Sequence, residues 1–237
     1  MYGTLQQGST GLPPSVPFEQ PKNLFRYGEQ TLWSTQLHPA GAALANGSFR
    51  LFTTPLGQVG QGFTNSLSIG ETSLKEGGRV PAGIAYDVFG ISCQIGVAES
   101  NESAGTNAVL GNALNTQANI DSLVNIQSNG VLSWDFTQTQ VDIAPIELIG
   151  AGGGAFGSIS VDDSGAAAVA TVGSMNNGAG SVFLYRKHPV ALPGNSTFSI
   201  LLRYGSRASA IPAGGAGRDF FVKVVLMGYY KNVIEIG

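Results

Sequence analysis

Residues 220 to 230 read Phe-Phe-Val-Lys-Val-Val-Leu-Met-Gly-Tyr-Tyr, an apolar run broken only by Lys223 and Gly228, near the end of a 237-residue chain. Such a run must leave water. It is shorter than the ~20 apolar residues that a helix needs to cross a bilayer. Its β-branched and aromatic side chains favour extended backbone. The expectation is a strand covered on both faces, in a domain that closes on this last strand.

Charged residues make up 11% of the chain, against ~25% in typical soluble domains. Net charge is −3, so self-repulsion between copies is weak. The 34 glycines are about twice the usual share. This composition favours association over life as a monomer coated with Ser, Thr, Asn and Gln, the plain alternative. The length suits one large β domain or two small ones. Cys93 is the single cysteine, which excludes an intrachain disulfide and a cysteine-cluster zinc site. Its place among Phe89, Ile91, Ile95 and Val97 predicts a buried, inert thiol. The N-terminus has no positively charged start and no long apolar run, so neither a signal peptide nor a membrane anchor is expected.

Residues 1–28 read as an extended arm. Pro13, Pro14, Pro17 and Pro21 favour an irregular strap, and Leu5, Leu12, Val16, Phe18, Leu24 and Phe25 supply apolar anchors. The arm would dock on a neighbour or on its own domain. Residues 29–237 read as the folded domain. Strand periodicity begins in 30–38 and returns around Phe49, Leu51 and Phe52. It is clearest where Ala85, Phe89, Ile91, Cys93, Ile95 and Val97 alternate with Gly90, Ser92, Gln94 and Gly96. Ile120, Leu123 and Val124 fall at helical spacing, predicting one short helix over 117–127 that ends at Asn129-Gly130. Strands resume at Leu132, Trp134 and Phe136, and at Val141 and Ile143. The glycine-dense stretch 150–180 predicts long loops. Val182 to Tyr185 reads as a strand. Pro193-Gly194-Asn195 forms a turn before the alternating Phe198, Ile200, Leu202 and Tyr204. Eight or nine strands with one helix and long connections fit an all-β, antiparallel jelly-roll β-sandwich, with a compact double jelly roll as the alternative.

No reaction chemistry is legible. Gly152-Gly153-Gly154-Ala155-Phe156-Gly157 matches G-x-G-x-x-G, but Ser158, Ile159, Ser160 and Val161 follow where a dinucleotide site needs a helix, and the required acid is missing. His38 and His188 each precede a proline at a strand end, with no triad spacing; both read as loop or interface residues. Asp162 and Asp163, with Asp142 or Glu147 nearby, lack the spacing of a calcium loop and read as a solvated acidic turn. The sequons at Asn46, Asn101 and Asn195 are what an Asn- and Ser-rich chain contains by chance. Arg203, Arg207, Arg218, Arg186 and Lys187 cluster only mildly, and no basic stripe for phosphate exists. The chain is therefore expected to be no enzyme. It is expected to carry no catalytic residue, no cofactor site and no metal site, and not to bind nucleic acid sequence-specifically.

The segment from Val190 to Leu201, with its Pro193-Gly194 turn before a strand, and the closing strand Phe221 to Tyr230, with Leu226-Met227-Gly228, together resemble the end of jelly-roll coat proteins from tailless icosahedral bacteriophages. The resemblance covers about the last fifty residues. It implies a structural protein, a major capsid subunit that self-assembles into a shell around a genome and resides in the virion after assembly in the host cytoplasm. Its partners would be copies of itself, other virion proteins and, beneath the shell, an internal membrane. The arm departs from a basic, genome-condensing type, because Lys22 and Arg26 are balanced by Glu19 and Glu29. A binding module on the same sandwich, a decoration, fibre-tip or adhesin domain, is the alternative function.

Overall fold

The computed structural model describes residues 23–98, 117–136, 139–149, 156–159, 173–176, 182–184, 188–213 and 219–235. Among these residues eleven strands and one helix follow in order: β1 (Asn23–His38), β2 (Ser48–Leu51), β3 (Ile84–Ala98), α1 (Gln117–Asn129), β4 (Gly130–Phe136), β5 (Thr139–Pro145), β6 (Phe156–Ile159), β7 (Gly173–Asn176), β8 (Phe183–Leu184), β9 (Val190–Leu192), β10 (Phe198–Tyr204) and β11 (Asp219–Glu235). One 3-10 turn, Ile146–Leu148, follows β5. The first sheet runs β1-β11-β3-β8, with β9 also on β3; the second runs β2-β10-β4-β5; β6 and β7 form a separate pair. Every pairing is antiparallel. The scheme is nested: β1 takes β11, β2 lies on β10, β3 takes β8 and β9, and β4 takes β5. The two sheets pack face to face, so the protein is an all-β sandwich.

The closing strand shows why. In β11, Phe220, Val222, Val224 and Leu226 are fully buried, while Phe221, Lys223, Val225 and Met227 on the other face are half-buried. The inner set meets Leu132, Trp134, Ile200 and Leu202 of the opposite sheet in one core. At roughly 1.5–3 kcal/mol per fully buried large side chain, this face dominates the strand's stabilisation. The loop 53–76 runs against β1 and reaches the outer face. Trp33 Nε1 donates to the Ile69 carbonyl at 2.9 Å, and the Ser73 amide donates to the Trp33 carbonyl at 3.0 Å. The run predicted to be covered on both faces thus has one sealed face and one half-covered face.

Four sequence expectations are corrected. β1 begins at Asn23, so residues 23–28, assigned to the arm, pair with Glu235 to Tyr230 in the sheet; residues 1–22 lie outside the described residues. The single alternating face proposed for β3 does not hold. Met227 pairs with Gly90 and Gly228 with Val88, so Phe89 is a bulge. N-terminal to it Tyr86 and Val88 point into the core; beyond it Ile91 and Cys93 do, so Ala85 and Phe89 stand on the outer face. A one-residue insertion inverts a period of two, which a straight pattern cannot register. Gly228 sits opposite the bulge, where a Cβ would come within 2.6 Å of the Asp87 carbonyl oxygen. Third, the stretch 150–180 contains the paired strands β6 and β7, not loops alone. Fourth, Val124 in α1 is 47% exposed, and Ile126 takes its place in the core beside Leu123.

The helix ends where the sequence placed its end. Gly130 turns the chain directly into β4, and a Cβ there would lie 2.4 Å from Ile146 Cδ1 and 2.8 Å from the Ile126 carbonyl oxygen. Tyr86 is the largest fully buried polar-tipped side chain. Its hydroxyl is shared between the Gln30 carbonyl at 2.6 Å and the Leu226 carbonyl at 3.2 Å, tying β1, β3 and β11 together. Tyr86→Phe should lower unfolding free energy by about 1–2 kcal/mol, because a buried carbonyl loses its donor. Chemical denaturation measures this, and an unchanged midpoint would show that the bond contributes nothing net.

Candidate interaction surfaces

The outer face of the second sheet is polar and charge-compensated. The register sets Arg50, Leu201, Ser133 and Asp142 in one row, with Ser199 opposite Asp135 on one side of it and Arg203 opposite Val131 on the other. Diagonal contacts then gather Arg50, Ser199 and Asp135 into one group and Arg203, Ser133 and Asp142 into a second. Arg50 Nη2 lies 3.2 Å from Asp135 Oδ2, which also accepts from Ser199 Oγ at 3.0 Å. Arg203 pairs with Asp142 and donates to Ser133 Oγ at 2.9 Å, while Ser133 Oγ donates to Asp142 Oδ1 at 2.8 Å. These cross-strand pairs are partly exposed, so each contributes ~1 kcal/mol or less to stability. Their larger effect is to leave this face without a net field. Asp142, weighed above as a calcium ligand, has its carboxylate engaged by arginine.

Where β2 ends, β4 ends and β10 begins, an open cleft of about 360 Å³ is lined by Arg50, Thr53, Asp135, Phe136, Thr197 and Ser199. Its back is the 77–78 loop, hydrogen-bonded to the strands on both sides: Gly78 N–H donates to the Phe52 carbonyl at 2.7 Å, and Phe198 N–H to the Gly78 carbonyl at 2.9 Å. Phe136 stacks on the buried Trp134, ring centroids 5.6 Å apart and planes 12° from parallel. A narrower mouth of about 180 Å³ opens where Leu32, Leu74, Val80, Ile84 and Phe198 form an apolar lining that Lys75, Glu76 and Arg79 complete.

Among the described residues, six of the eight exposed large apolar side chains lie on the two flanks of the sandwich, the others being Leu184 of β8 and Tyr229 of β11. On the β1 flank, the 53–76 loop shows Leu56, Val59 and Ile69 at 48%, 58% and 64% exposure. On the β5 flank, α1 and the 3-10 turn show Val124 and Leu148 at 47% and 64%, beside Val141 of β5 at 48%. The flanks are opposite, because β1 and β5 end their sheets on opposite sides while α1 packs on β3, β4, β5 and the 3-10 turn. The turn is joined to the first sheet by the Cys93 amide, which donates to the Ile149 carbonyl at 3.1 Å.

The titratable residues singled out from the sequence do not converge. Cys93 is buried, and loss of hydration pushes its thiol up to about 12, so it is inert as expected. His188 is exposed. His38, expected in a loop or interface, is instead a core residue with no exposure. Its Nε2 lies 2.9 Å from the Tyr204 hydroxyl, and its ring packs edge-on to Phe49 and Tyr204 at 4.7 and 5.4 Å. Tyr204 stands 166 residues away, so no local signal could have shown the partner. Burial lowers the His38 pKa to about 4, and Nδ1 has no hydrogen-bond partner. Among the glycines of the G-x-G-x-x-G match, residues 152–154 lie outside the described residues, and Phe156–Ile159 after them is a strand, not a phosphate-facing helix. Asp162 and Asp163 also lie outside. Among the described residues no three His, Cys, Asp or Glu side chains group as a metal site, and no helix is long and apolar enough to cross a membrane.

The cleft and the flanks were the features that sequence reasoning missed, since each assembles residues from distant segments. Comparison with known proteins returns no matching family model and no similar curated sequence.

Proposed function

We propose that this chain is a viral coat subunit, a jelly roll that associates with copies of itself into an icosahedral shell. The observation that carries the reading is the placement of exposed apolar side chains on opposite flanks of a weakly charged sandwich. A contact between the β1 flank of one copy and the β5 flank of the next is heterologous, and such contacts close into rings when the rotation allows. Nested pairing of first strand with last, second with next-to-last and so inward is what a long hairpin rolled into a double sheet produces, which supports the jelly roll over two smaller barrels. The compensated charges of the second sheet fit a surface that approaches neighbours without repulsion.

The full chain should form regular particles, or trimers or pentamers, by light scattering and electron microscopy. Ile69→Lys and Leu148→Lys should each block assembly while changing subunit stability by no more than about 0.5 kcal/mol, since both side chains are largely in water. A wild-type protein that stays monomeric at high concentration ends this reading. The cleft favours a second one, a decoration or fibre-tip binding module, which would form a discrete small oligomer and no shell.

A further inference from the structure

We infer that the cleft at the β2, β4 and β10 ends is a binding site for a neutral carbohydrate. The inference stands on the cleft alone and holds whether or not the chain assembles.

The charges decide the class of ligand. Arg50 and Asp135 face each other at 3.2 Å, so a cation entering the cleft meets the guanidinium and an anion meets the carboxylate. A charged ligand would give up hydration without a net attraction in return. A neutral polyol suits the pair, because each hydroxyl both donates and accepts and adjacent hydroxyls can span a donor and an acceptor. Both groups keep capacity for it. The guanidinium has five N–H donors, of which the ion pair engages one nitrogen, and the Arg50 side chain is 63% exposed. Asp135 Oδ2 takes both the Arg50 and Ser199 contacts, and Oδ1 accepts nothing among the described residues. Thr53, Thr197 and Ser199 add hydroxyls to the lining.

The apolar component is also present. Phe136 lines the cleft, is partly exposed, and is held in orientation by stacking on Trp134. The C–H face of a pyranose carries partial positive charge and packs on the negative face of an aromatic ring. A volume of about 360 Å³ is at the small end of ligand sites, which fits one or two sugar rings. The walls are strand ends and a hydrogen-bonded loop, so little ordering is needed on binding.

The test uses the full chain and a panel of lactose, maltose, cellobiose and chitobiose, followed by saturation-transfer NMR and calorimetry. At least one sugar should bind with Kd near or below ~1 mM. Arg50→Ala, Asp135→Asn and Phe136→Ala should each weaken that binding by about tenfold or more. Arg203→Ala, on the same sheet but outside the cleft, should leave it within about twofold. Circular dichroism melts of the variants separate lost binding from lost folding, and Arg50→Ala, altering an exposed side chain, is the variant that must remain folded. The inference is overturned if no sugar of the panel binds at about 10 mM, if Arg50→Ala binds like the parent, or if a sialylated lactose binds more tightly than lactose.

Discussion

Phe220→Ala should lower the unfolding free energy by about 3–5 kcal/mol, while Phe221→Ala, one residue on, should cost about 1 kcal/mol. The two substitutions delete the same atoms from the same strand. Phe220 is fully buried on the inner face of β11, so its removal leaves a cavity in the core as well as losing the transfer free energy of the ring. Phe221 stands on the outer, half-covered face. There its ring lies over Gly96 of β3, where a Cβ would come within 2.6 Å of it, an aromatic side chain covering a strand glycine. Part of that contact area is already wet in the fold. Urea denaturation of both variants measures the difference. Equal costs would mean that the pleat of β11 is not oriented as described, and the sandwich with it.

Acidification is expected to weaken the fold through His38. In the unfolded chain its imidazole has the ordinary value of 6.5; in the fold, loss of hydration holds it at about 4. Above pH 6.5 both states are neutral at this position, and the group makes no difference to stability. Between 6.5 and 4 the unfolded chain takes up a proton that the fold refuses, so stability falls by about 1.4 kcal/mol per pH unit. Below pH 4 both states carry the proton and the loss is complete, at about 3 kcal/mol in all. The structural reason is plain. Protonation would place a second N–H on the ring, and Nδ1 has no partner in this pocket of Phe49 and Tyr204. Unfolding curves at pH 7, 5.5 and 4.5 should therefore fan apart for the parent and much less for His38→Gln, the carboxylates titrating alike in both. NMR of the ring in a His188→Gln background, where His38 is the sole histidine, reads its protonation directly. A midpoint at or above 6.5 would contradict the burial described here.

Local pattern carried much of this architecture. Phe198, Ile200 and Leu202 do face the core at a period of two, the helix does stop at Asn129 before Gly130, and Cys93 is buried. Those features depend on side-chain alternation, capping and composition, each of which spans only a few neighbouring residues. The candidate sites did not show themselves in this way. The cleft joins Arg50 to Asp135 and Ser199, and the core histidine finds its phenol 166 residues along the chain.

What the amino-acid order determined by itself was therefore the type of most segments, strand, turn or helix, and a chain too poor in charge to repel its copies strongly. The tertiary structure alone decided where an inward face reverses and which residues meet. A bulge at Phe89 reverses the inward face of β3 partway along, and pairing first strand with last brings together groups that no spacing relates. The physical reason is that burial and charge pairing are properties of neighbours in space. In a sandwich whose outermost pairing spans nearly the whole chain, most such neighbours are remote in sequence.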